Sequence, residues 1–82
     1  MSAVTVVPKI EPRSNGFMLL VESVDAQRAW RKWYGTEQDA YTDAVDMGLA
    51  DDEFFGSTHR RKLKTKVSIA VERFEHFGLQ AD

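Results

Sequence analysis

An α+β fold of two layers is what this sequence predicts: a three-stranded antiparallel meander followed by a helix, a fourth strand and a short C-terminal helix. Three observations carry that expectation. Apolar residues alternate with period two from Phe17 to Tyr34 across a turn signal, the period lengthens to 3.6 after Thr36, and a β-branched run returns within residues 63–71. The 82 residues are 43% hydrophobic and 29% charged, which suits one small globular domain over 1–82 rather than a disordered chain.

The first strand falls in Ala3–Pro12. It is rich in β-branched residues but holds Pro8 and Pro12, which cannot donate to a ladder, so an edge strand is expected. Ser14, Asn15 and Gly16 make a hairpin turn, and the second strand runs from Phe17 to Val24. After a second turn around Asp25–Gln27, the segment RAWRKWYG returns as the third strand. A loop of two or four residues pairs Phe17 with Tyr34, Leu19 with Lys32, Val21 with Trp30 and Ser23 with Arg28 on one face. The other face then carries Met18, Leu20 and Glu22 beside Trp33, Arg31 and Ala29.

Thr36 is a good N-cap, with Glu37 and Asp39 in the first turn where the helix end is positive. The helix buries Ala40, Tyr41, Ala44 and Val45, directs Asp39, Asp43 and Asp46 to the opposite side, and stops near Gly48. Beyond it, Asp51–Phe55 reads as a short helical turn anchored by Phe54, Phe55 or both. Residues 63–71 alternate as a strand, with Leu63, Thr65, Val67, Ile69 and Val71 on one side; as a helix, Ile69 would fall off the apolar stripe. Phe74 and Phe77 then pack inward from a closing helical turn.

The net charge of −2 conceals a sorted pattern. Residues 36–56 hold seven acids and no Lys or Arg, while residues 59–66 hold five bases and no acid. The two blocks either face apart as fields of opposite sign or meet and neutralise each other. No cysteine is present, so disulfides and thiolate metal sites are excluded. No stretch approaches the ~18 apolar residues of a membrane span, and MSAVTVVPKI lacks the pattern of a secretory signal, so a soluble cytoplasmic protein is expected.

Catalytic chemistry finds little support. His59 and His76 are the only histidines, no phosphate-binding glycine loop or nucleophile elbow occurs, and the acids lack the spacing of a calcium loop. A non-enzymatic protein without cofactor or metal is expected, working by contact with a macromolecule. The candidate partner-binding residues are Trp33, Met18, Leu20 and Arg31, on the face that the first half of the chain leaves uncovered. Either the terminal helix closes over Trp33 or the patch is exposed as a site for another protein. Trp30 and Tyr34, on the more apolar face, belong to the core.

The alternative is a nucleic-acid surface built from Arg28, Arg31, Lys32, Arg60, Arg61, Lys64 and Lys66. Strands feeding a helix that opens at Thr36 and continues through Ala40, over residues 17–47, resemble the N-terminal DNA-binding modules of phage-type tyrosine recombinases. The resemblance implies a sheet that enters the major groove, with Arg28, Arg31 and Lys32 on its third strand. It covers under half of the chain and carries no expectation of a recombinase catalytic domain; as a whole the chain looks like a small bacterial protein.

Overall fold

The computed structural model describes residues 2–79; the side chains of Phe55, His59 and Leu79 lie outside what it describes. Six strands and two helices follow in order: β1 (Ala3–Arg13), β2 (Gly16–Ser23), β3 (Ala29–Tyr34), α1 (Glu37–Asp46), β4 (Ala50–Phe55), β5 (Thr58–Leu63), β6 (Val67–Ala70) and α2 (Val71–Leu79). Four of the strands form one antiparallel sheet in the order β3-β2-β1-β6, and β4 pairs with β5 in a separate two-stranded sheet. The α+β class and the meander-then-helix layout expected from the sequence are both present.

The meander has the anticipated register. Phe17 faces Tyr34, Leu19 faces Lys32 and Val21 faces Trp30, while Met18 faces Trp33 and Leu20 faces Arg31. A four-residue connection sets it. The Ser23 N–H donates to the Arg28 carbonyl at 2.8 Å, and the Arg28 N–H donates to Ser23 Oγ at 3.0 Å. Inside that loop the Asp25 carboxylate accepts from Ser23 Oγ at 2.5 Å and from the Gln27 N–H at 3.0 Å, and these bonds hold the Asp25 carboxyl below its ordinary value. At the preceding turn Gly16 takes φ +146°, and a Cβ there would run into the Tyr34 carbonyl oxygen. No side chain larger than hydrogen fits that approach.

β1 is not an edge strand, which corrects the expectation drawn from its prolines. It lies between β2 and β6, but β6 covers only its first part, pairing Ala3–Val6 with Val67–Ala70. Pro8 and Pro12 lie past that overlap. The Val24 N–H donates to the Thr5 carbonyl at 2.9 Å, so the odd-numbered positions of β1 bond to β2 and the even ones point the other way. Both prolines therefore occupy positions whose missing N–H faces no strand, and no ladder bond is lost.

The helix α1 begins as its sequence requires. Thr36 is the N-cap, its Oγ1 accepting from the Asp39 N–H at 3.1 Å. It ends in a Schellman motif: the Leu49 N–H reaches the Ala44 carbonyl at 2.8 Å and the Gly48 N–H reaches that of Val45 at 3.0 Å, with Gly48 at φ +80°. That turn delivers the fully buried Leu49 into the core.

The segment after α1 departs from expectation. Asp51–Phe55 is strand rather than a helical turn, because β4 pairs in register with the basic strand β5 through a two-residue turn, Gly56 and Ser57, opened by Gly56 at φ +65°. The expected strand over 63–71 is divided: Leu63 ends β5, Val67–Ala70 forms β6, and Val71 already opens α2. Of the two rings expected to anchor this region singly or together, Phe54 is exposed, and the side chain of Phe55 lies outside the described residues.

One core unites these pieces. Val6, Leu19, Val21, Trp30, Ala44, Leu49, Ala50, Ile69 and Phe74 form a single buried cluster, and both helices and the β4–β5 pair contribute to it or pack beside it. All of the sheet residues in it lie on the same face of the four-stranded sheet.

Candidate functional site

The opposite face of that sheet carries the four residues singled out as a partner site. Cross-strand register places Trp33 opposite Met18 and Arg31 opposite Leu20, so the four form one contiguous block on β2 and β3. β1 extends the rows, with Glu11 beside Met18 and Lys9 beside Leu20. Arg31 and Lys9 are exposed, and Leu20 is half-buried.

Among the described residues, what leaves this face uncovered is the direction taken by α2. Its Phe74 and Phe77 rings lie 6.4 and 6.5 Å from the Trp30 ring, on the core side of β3. Gly78 comes so close to the indole that a Cβ there would lie 3.2 Å from Trp30 Cδ1. The terminal helix thus seals Trp30, which is 8% exposed, and leaves Trp33 44% exposed. Met18 is only 6% exposed although it is absent from the core cluster. Its immediate neighbours in register are Trp33 and Glu11, and they flank it as an apolar floor between two strands.

The seven cations of the nucleic-acid alternative do not gather on one surface. Arg31 points to the open face, whereas Lys32 points to the core side, where its Nζ is 3.5 Å from Asp43 Oδ2 and 5.4 Å from the centre of the Tyr34 ring. Arg28 pairs with Glu75 of α2 at 2.9 Å. Arg61 Nε lies 3.8 Å from Asp52, and Lys64 lies 3.8 Å from Asp51. Both distances are Coulombic contacts too long for a hydrogen bond. Among the described residues Arg31, Arg60 and Lys66 make no ion pair, although Glu53 is the register partner of Arg60.

The sorted charge blocks therefore meet in part. Asp51, Asp52 and Glu53 of β4 stand opposite Lys62, Arg61 and Arg60 of β5. The aspartate stripe of α1 is also incomplete as a solvated face: Asp43 turns toward the sheet and accepts a 2.7 Å hydrogen bond from the Tyr34 hydroxyl. Burial first, and then that carboxylate, push the Tyr34 phenol well above its ordinary value. Among the described residues no group of three or more His, Asp or Glu side chains could hold a metal ion, and no helix is long and apolar enough to cross a membrane.

Shallow depressions bracket β3 at its two ends. One is lined by Leu20, Ala29, Trp30 and Arg31, the other by Asn15, Trp33, Tyr34 and Gly35. Strand parity in the sequence placed these four residues on one face without deciding whether that face is open, and it missed these hollows, which depend on how the turns bend. Comparison with family models, curated proteins and solved structures finds no match to this chain.

Proposed function

We propose that this protein is a non-enzymatic binding module that engages another protein through the open face of its four-stranded sheet, at Trp33, Met18, Leu20 and Arg31. The observation that supports this reading is the cross-strand pair of Trp33 and Met18 on a face that neither helix covers. A half-exposed indole over a buried apolar floor, with a cation beside it, has the composition of an interface anchor: aromatic and arginine side chains contribute most where a partner can exclude water around them.

Nucleic acid is the less supported partner. Four of its seven candidate cations already sit beside carboxylates, so fewer are free to replace the counterions of a phosphate backbone. The face around Trp33 is also mixed in sign, with Glu11 and Glu22 among its residues.

Affinity capture from source cells, with the protein and its Trp33→Ala variant as matched baits, tests the proposal. The variant is expected to melt within about 8 °C of the parent, corresponding to under ~1 kcal/mol for a domain of this size. It should lose a protein that the parent retains. Equal retention by both baits, or collapse of the variant's fold, would remove the open face as the binding surface.

A further inference from the structure

The outer margin of β3 is a free sheet edge, and its backbone groups belong to the same residues whose side chains form the open face. Arg28 stands at a hydrogen-bonded position opposite Ser23. Antiparallel ladders alternate, so Trp30, Lys32 and Tyr34 direct their N–H and C=O groups toward β2, while Ala29, Arg31 and Trp33 direct theirs outward. β3 is the terminal strand of its sheet, and no described strand pairs with that margin.

Resting on the reading that this face binds protein, we infer that its partner contributes an extended segment which adds to β3 as a fifth strand, with an acidic residue opposite Arg31 and apolar residues two positions to either side. Charge selects the acid. Arg31 lies at the centre of the outward-facing trio and makes no ion pair among the described residues, so a carboxylate directly across from it gains a partner without displacing one. Geometry selects the apolar neighbours. Positions two residues away stand across from Ala29 and Trp33, where the hollows beside Leu20 and beside Asn15 receive side chains.

A second copy of this chain fits the edge less well. Strand neighbours in register share a face, so two-fold pairing of β3 with itself must set odd positions against odd ones. The register that satisfies all six outward backbone groups puts Arg31 against its own copy; a shift one way puts Lys32 against Lys32, and a shift the other way puts Arg28 against Lys32. Like charges directly opposite oppose pairing and are a common device against self-association of edges.

The test uses the full chain, labelled with ¹⁵N, and two capped heptapeptides. Each has valine at its second and sixth positions and threonine elsewhere, with glutamate in the middle of one and lysine in the middle of the other; the symmetric pattern tolerates either strand direction. The glutamate peptide is expected to shift the amides of Ala29, Arg31 and Trp33 and slow their exchange, leaving those of Trp30, Lys32 and Tyr34 nearly unmoved. It should bind about tenfold more tightly than the lysine peptide at low salt, and Arg31→Glu should invert that preference. The inference is overturned if neither peptide moves those three amides, or if the central charge makes no difference. Concentration-dependent protection of the same amides in the protein alone would also overturn it, by assigning the edge to a second copy. Failure here with a Trp33-dependent partner still captured from cells removes the added strand alone, whereas capture that ignores Trp33 removes the face itself.

Discussion

The Tyr34 hydroxyl donates to Asp43 Oδ2 at 2.7 Å, joining the last residue of β3 to the middle of α1. Lys32 reaches the same carboxylate at 3.5 Å, so one half-exposed acid receives two groups from the strand. The contact ties the helix to the core side of β3, and strand alternation points Trp33, the residue between the two donors, the other way.

Tyr34→Phe should lower stability by about 1 kcal/mol, the usual net value of one hydrogen bond. The parent should also show an alkaline signature. Its folded state keeps the phenol proton to higher pH than the unfolded chain does, so the stabilisation is complete below about pH 10 and is lost as pH rises beyond that toward the folded-state value. Denaturant midpoints at pH 8 and pH 11 should converge between parent and variant at the higher pH; a constant gap would disprove the linkage.

The two tryptophans should differ sharply. Trp30→Ala opens a cavity beneath Phe74 and Phe77 and is expected to cost about 3–5 kcal/mol, a large share of the stability of a small domain. Trp33→Ala removes a side chain on the uncovered face and should cost under ~1 kcal/mol. Urea titrations monitored by circular dichroism separate these outcomes, and similar losses at both sites would contradict the two-sided description of β3.

Charge pairing in the β4–β5 hairpin predicts an epistatic pair. Arg61→Glu sets two acids face to face with Asp52 and should destabilise by about 1 kcal/mol. Adding Asp52→Arg should recover at least half of that loss, and the recovery should shrink in 1 M salt. Thermal melts of the two single variants and the double variant provide the cycle; strictly additive losses would mean that the register partners do not sense each other.

Much of the arrangement around the candidate site was legible from residues 16–48. Strand parity over Phe17–Tyr34, the capping hydroxyl of Thr36 and the stop at Gly48 are local signals, and the structure honours each of them. β1 was misread because a proline shows that a donor is missing and not which side of the strand it is missing from. Asp51–Glu53 was misread because acidic residues have poor strand propensity in isolation, and what holds them extended is the basic strand across the turn. The fate of Trp33 was undecided until α2 could be placed. Phe74 and Phe77 suit either tryptophan by composition, and only the break at Val71 sends them to Trp30.

Pro8 and Pro12 have a further effect on how many neighbours the sheet can take. The margin beyond β6 is stepped: the overlap of this four-residue strand with β1 stops at the Val6–Val67 pair, and the stretch of β1 that continues past it presents two ring nitrogens where a newcomer would seek donors. Recruitment along the backbone is thereby disfavoured on the stretch of β1 that β6 leaves uncovered. An extended segment of the kind inferred for β3 finds no equivalent ladder along this length of β1, which works against open-ended polymerisation through it.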